Sequence, residues 1–143
     1  MKPACVFLDA NVVLDHLADR QPFAVYAHQL LALAEARLIE AHVSALTFCN
    51  LYYLLRKFRG HQSAIEALQR LSQLVRITMV GEPEIRSGLV SGLRDFEDAV
   101  QLASAEAQPD LAVILTRNPR DFPVRRLAVQ SPDQFLADRR WSG

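Results

Sequence analysis

Four carboxylates stand where a folded chain can bring them together: Asp9 in FLDANVVLDHL, Asp95 and Asp98 in DFEDAVQLASA, and Asp121 in TRNPRDF. Several carboxylates around one hard cation are what phosphodiester cleavage asks for, because oxygen ligands hold such an ion and the ion polarises phosphate. Taken singly, each has an ordinary structural explanation. Asp9 and Asn11 sit where the first turn of a helix wants a capping side chain. Asp95 followed by Asp98 resembles a capping box, and both charges favour the positive end of a helix. Asp121 lies in a polar turn. Chemistry follows only if the elements that carry these residues converge.

The hydrophobic pattern predicts that they do. ACVFLD is a short apolar run leading directly into NVVLDHLA at helical spacing, a buried strand feeding a helix. A helix over AVYAHQLLALAEAR, a strand over LIEAHVSA, a helix over LTFCNLYYLLRKFRG that stops at Gly60, and another over HQSAIEALQRLSQL follow. VRITMV is predicted as a strand, GEPEIRSGLV as a short helix with Pro83 in its first turn, and DFEDAVQLASAEAQ as an amphipathic helix. LAVILT and LAVQS are the last predicted strands, and PDQFLADRR the last helix. This alternation implies one α/β domain over residues 1–143, a three-layer α/β/α sandwich whose central, mostly parallel sheet of about five strands is covered on both faces. Ligands in such sheets bind beyond the carboxyl ends of the strands. Asp9, Asn11, Ser44, Thr116, Asn118 and Asp121 follow predicted strand ends, and Asp95 and Asp98 open a helix packed on the same sheet.

Composition narrows the classes. The chain has 143 residues, half of them apolar and 22% charged, which suits a compact domain that needs neither disulfides nor a structural metal. Its apolar runs are shorter than the roughly 18 residues of a membrane span, and the N-terminus lacks a signal-peptide core, so a cytoplasmic location without membrane contact is expected. Cys5 and Cys49 lie in apolar segments and are read as reduced thiols without chemistry. His16, His28, His42 and His61 show no metal-ligand spacing, so no zinc site is expected and they are assigned to surface or packing roles. Sixteen basic against sixteen acidic residues give no overall field that would attract nucleic acid. The local groups Arg56, Lys57 and Arg59, then Arg117, Arg120, Arg125 and Arg126, then Arg139 and Arg140, read by themselves as solvated faces and helix ends.

FLDANVVLDHL, SALTFCNLYYLLRK, DFEDAVQLASA and ILTRNPRDF, in this order and spacing, resemble the four motifs of PIN domains, especially the type that serves as the VapC toxin of toxin and antitoxin pairs. The resemblance runs from about Val6 to Phe122. It implies a metal-dependent endoribonuclease in which Asp9 and Asp98 bind Mg²⁺ or Mn²⁺ and Asp9, Asp98 and Asp121 form the catalytic set. Asn11 then corresponds to the small polar residue beside the first aspartate. In the fourth motif either Asn118 or Asp121 turns inward. The second motif departs from the family: Asn50 stands where a glutamate is usual, which removes a charge and should weaken the metal, with Asp95 or Asp15 as compensating acids. Thr116 and Asn118 are expected to orient phosphate or bound water, and Arg117 and Arg120 to contact RNA. The implied partners are RNA and a VapB-like antitoxin.

Asn50 also motivates a second expectation, a catalytically impaired PIN domain that binds RNA or protein without cutting. A third, a flavodoxin-like regulatory domain phosphorylated on an aspartate, would want a lysine beyond a late strand, where this chain offers only arginines. The segments containing Phe48, Leu51, Tyr52, Leu54, Leu55 and Phe58, and Ala24 to Ala36, are apolar nearly all round. That excess predicts a second surface of contact, a homodimer or a helical partner.

Overall fold

Side chains alternate along the first strand, β1 (Ala4–Leu8), and serve two separate cores. Val6 and Leu8 point to one face of the sheet, Cys5 and Phe7 to the other, as the two-residue period of a strand requires. β2 (Ile39–Ser44) and β4 (Val113–Leu115) flank β1, and β3 (Val75–Thr78) and β5 (Ala128–Gln130) form the edges. All four pairings are parallel, in the order β3-β2-β1-β4-β5. The structure, a computed structural model, describes residues 2–138; Arg139 and Arg140 lie outside the described residues.

A fully parallel sheet must be covered on both faces, and this one is. Helices α1 (Ala10–Ala18), α2 (Ala24–Glu35), α3 (Ala45–Leu74) and α6 (Pro132–Ala137) enclose the larger core through Val12, Leu30, Leu51, Leu71 and Phe135. The opposite face is closed by α5 (Phe96–Glu106) through Leu102 and Ala105. α4 (Glu82–Val90) packs on α5, and Gly88 permits the approach: a Cβ there would meet Val100 Cγ2 at 2.9 Å. The helices predicted on either side of Gly60 are joined in α3, where Gly60 alone is non-helical at φ 80°. Glycine takes this left-handed conformation without steric cost.

The chain steps from β1 outward through β2 to β3, then returns to build β4 and β5 on the other side. The connection reverses between β1 and β4, which opens a crevice at their carboxyl ends. The flavodoxin-like order is 2-1-3-4-5, so the sheet excludes the regulatory-domain reading. Among the described residues no helix is long and apolar enough to cross a membrane.

Candidate active site

Asp9 follows β1 at this crevice, and its N–H donates to the Leu115 carbonyl at 3.0 Å, locking the ends of β1 and β4 together. It occupies the N-cap position of α1, yet its side chain makes no capping hydrogen bond. Oδ1 instead accepts from Gln101 Nε2 at 3.0 Å and Oδ2 from the Thr116 hydroxyl at 2.9 Å. The capping explanation is therefore lost. Burial raises the Asp9 pKa, opposed by these two hydrogen bonds.

Gln101 is fully buried on α5. Its Oε1 accepts from the Ala10 N–H at 3.1 Å and from the Thr47 hydroxyl at 3.3 Å, while Nε2 also lies 3.4 Å from Asp98 Oδ1. Thr47 in turn is held by Ser44, which caps α3. One amide thus connects the β1–α1 junction, α3 and α5, with every polar atom satisfied, as burial demands.

The start of α5 brings the other acids. Asp95 caps the helix, accepting from the Asp98 N–H at 3.0 Å. The half-buried Asp98 carboxyl is pushed up to about 7, first by burial and then by repulsion from Asp9, Asp95, Asp121 and Glu97. Glu97 is also raised by burial, opposed by a hydrogen bond from the Asn50 side chain. Asp9, Asn11, Asn50, Asp95, Glu97, Asp98 and Asp121 line one pocket, with Lys57 as its cation. A second cavity shares Asp95, Asp98 and Asp121 and adds Arg94 and Arg120.

Other residues singled out in the sequence lie elsewhere. Arg117 does not line the pocket: its Nε is 3.2 Å from Asp15 Oδ2, an ion pair without hydrogen-bond alignment, and its guanidinium lies 4.3 Å over the Phe23 ring. Asp15 is buried between Arg117 and Arg20 and does not compensate for Asn50. Of the pair left open in the fourth motif, Asp121 lines the pocket; Asn118 is exposed and donates its N–H to Thr116 Oγ1 at 3.2 Å. Asn11 lines the rim, its Oδ1 3.4 Å from an Arg20 nitrogen. Sequence reasoning missed Gln101, Thr47, Glu97 and Lys57. The spacing of Gln101 three positions beyond Asp98 puts both on one helical face, a signal present in DFEDAVQ. Glu97 stood inside the same motif, between the two aspartates to which the capping and metal readings were given.

The donor set fits a hard divalent ion. Five carboxylates face one pocket, and among the described residues none of them is in a salt bridge. Mg²⁺ and Mn²⁺ prefer such oxygen ligands.

Comparison with known proteins finds relatives of the chain and of its fold. Ribonuclease VapC1 of Aquifex aeolicus (strain VF5) is 22% identical over 142 residues, covering 96% of this chain and 95% of that protein. The fold is shared with DNA-bound VapBC from Salmonella typhimurium, at a TM-score of 0.67, 13% identity, and coverage of 90% of this chain and 98% of that one. It is also shared with the sarcin-ricin loop cleaving toxin VapC20 of Mycobacterium tuberculosis, at a TM-score of 0.60, 18% identity, and coverage of 76% and 86%. The family model of the PIN domain matches residues 5–120, which takes in β1, the α3 segment with Asn50, the whole acidic start of α5 and the turn after β4 up to Arg120. With that match covering most of the chain, including four of the five acids of the pocket, the chain belongs to the PIN domain family.

Proposed function

We propose that the protein is a metal-dependent endoribonuclease of the VapC type, acting in the cytoplasm as the toxin of a toxin and antitoxin pair. The observation that carries this reading is the unpaired carboxylate pocket at the β1–β4 crevice, with Asp98 pushed up to about 7 by its acidic neighbours. The Aquifex relative is named a ribonuclease, and one fold neighbour is described as an RNA-cleaving toxin.

Asp9 and Asp98 would hold Mg²⁺ or Mn²⁺, with Asp121 and Glu97 beside them. Such an ion supplies polarisation of the phosphate and activation of water at neutral pH, giving a 5′-phosphate and a 3′-hydroxyl. Asp9 is positioned by the neutral donors Gln101 and Thr116, which fix its direction and leave its charge uncancelled. Burial and repulsion from its acidic neighbours push Asp98 up to about 7; a bound cation would offset that repulsion and keep Asp98 ionised as a ligand. Lys57 on one side of the acids and Arg94 with Arg120 on the other give a single-stranded backbone cationic contacts along its path. Arg117, neutralised by Asp15, is not part of that path.

The impaired-enzyme alternative rested on a missing charge at Asn50. Glu97 returns a carboxylate beside that amide, so the alternative loses its motive.

The antitoxin reading has its own surface. A groove of Leu14, Ala18, Leu54, Leu55 and Phe58 adjoins the acidic pocket and shares Leu14 and Leu54 with it. Phe58 is 84% exposed and Tyr53 61%, a patch that a partner segment would cover while closing the pocket. Homodimerisation through exposed aromatic residues of α2 and α3, such as Tyr26 and Tyr53, belongs to the same reading.

The deciding experiment is cleavage of single-stranded RNA by the purified chain with Mg²⁺ or Mn²⁺. Cleavage that stops with chelator and is lost in Asp98→Ala supports the proposal. Equal cleavage by Asp98→Ala and the natural chain would refute it.

A further inference from the structure

The sheet has a second cluster of ligating side chains, remote from the acidic pocket. Cys5 and Glu40 are register partners on the adjacent parallel strands β1 and β2, and His42 is two residues beyond Glu40. The two-residue period puts all three on the face closed by α5. Their ligand atoms lie within 4.8 Å of one another, and the His42 Nε2 and a Glu40 oxygen are 3.0 Å apart. Cys5 precedes Asp9 by four residues, about 13 Å of extended chain, and lies toward the other end of β1.

We propose that Cys5, Glu40 and His42 form a second metal site, of the zinc type. A thiolate, an imidazole and a carboxylate together are a borderline-soft donor set that suits Zn²⁺ and not Mg²⁺. Zinc bonds of about 2.0 to 2.3 Å place tetrahedral ligands about 3 to 4 Å apart, within the reach of side chains already this close. His42 is 6% exposed, and burial holds its pKa below the ordinary value, so the imidazole is neutral as ligation requires. Burial raises the Cys5 thiol, which gives up its proton when the ion binds. The charge of Asp110 acts on both Cys5 and His42 and adds to the negative potential around the cluster. Such an ion ties β1 to β2 and takes no part in chemistry at Asp9. The sequence hid the site because Cys5 and Glu40 are distant along the chain and meet only through strand register.

The test uses the reduced, metal-free chain titrated with Co²⁺, which occupies zinc sites and absorbs light. The expected result is one equivalent showing the visible bands of tetrahedral cobalt and a near-ultraviolet thiolate-to-cobalt band, all displaced by Zn²⁺. Cys5→Ser removes the thiolate band, Cys49→Ser keeps it, and Asp98→Asn in the acidic pocket keeps it. Glu40→Gln, at a half-exposed position, lowers affinity about tenfold or more, with far-ultraviolet circular dichroism confirming that each variant is folded. No thiolate band in the natural chain, a band that persists in folded Cys5→Ser, or one lost in Cys49→Ser would overturn the proposal.

Discussion

Asp9 and Asp15 belong to one strand-to-helix segment, both are aspartates, and both are buried, at 5% and 1% exposure. Their surroundings are opposite. Asp15 is flanked by two guanidinium groups, Arg20 at 2.9 Å and Arg117 at 3.2 Å. Asp9 is held by neutral donors, Gln101, Thr116 and the Ala10 backbone, and faces Asp98, which is raised in part by its charge. A buried charge has to be compensated. In the first region the chain surrounds the aspartate with cations; in the second it adds more anions, and on the proposed function a metal ion would supply the balancing charge. Residue type and burial therefore do not distinguish these two aspartates, whereas the sign of their neighbours does, and on the proposed function that sign separates a structural role from a metal-binding one.

The largest expected effect tests that difference directly. Asp9→Asn keeps the size and much of the hydrogen bonding but removes the charge, and RNA cleavage should fall by about 100-fold or more, the scale of a few kcal/mol of lost charge stabilisation. Asp15→Asn should leave the cleavage rate of the folded protein within a few-fold of the natural chain. Loss of activity in folded Asp15→Asn equal to that in Asp9→Asn would erase the distinction.

Stability should reverse the ranking. Asp15→Asn strands two arginines that partly reach solvent, and chemical denaturation should show a loss of about 3 kcal/mol. Asp98→Asn should instead stabilise the metal-free chain above neutral pH by relieving repulsion. The sign follows from its raised pKa: folded Asp98 titrates at about 7 and the ordinary carboxyl at 3.8. Between these values the folded chain holds a proton that the unfolded chain has lost, so the stability it contributes at low pH disappears as pH rises through 7. With chelator present, the melting temperature of the natural chain should drop more between about pH 5.5 and pH 8 than that of Asp98→Asn. Added Mg²⁺ should offset the drop in the natural chain, because it binds the ionised carboxylates. Identical melting profiles for the two proteins would show that Asp98 does not titrate in this range.

The sequence carried the strands and the convergence of Asp9, Asp95, Asp98 and Asp121, because apolar runs and their periods are local signals. It did not carry Gln101 as the tie between Asp9, Thr47 and Ala10: the spacing from Asp98 places the glutamine on the same helical face, but its partners come from β1, α1 and α3 and meet it only in the folded chain. Arg117 was read as an RNA contact because it follows β4, as Thr116 does. Adjacent residues beyond a strand point to different sides, and that side holds Asp15 and Phe23. The cysteine and histidine spacings suggested no cluster because register across strands, not distance along the chain, pairs Cys5 with Glu40 and so sets it near His42.

The smallest expected effect concerns Asn50, where charge compensation within the acidic region is most finely divided. Its side chain donates to Glu97, so the amide and the acid act as a pair: the second motif gives the hydrogen bond and α5 gives the charge. If Glu97 stands in for the usual glutamate, Glu97→Gln should weaken Mg²⁺ binding and slow cleavage by about tenfold, since ligand charge tunes divalent affinity. Asn50→Glu alone would add a carboxylate against Glu97 and remove its donor, so the two acids would repel each other and raise each other's pKa. The gain in metal affinity should then be a few-fold at most. The double variant Asn50→Glu with Glu97→Gln moves the charge across the hydrogen bond without changing its total, and should recover Mg²⁺ affinity and cleavage to near the natural level. Calorimetric titration of Mg²⁺ and RNA cleavage on the four proteins form a closed cycle. A double variant no better than Glu97→Gln would mean that the position of the carboxylate matters and its count does not, and Glu97 would no longer explain how the pocket tolerates asparagine at position 50.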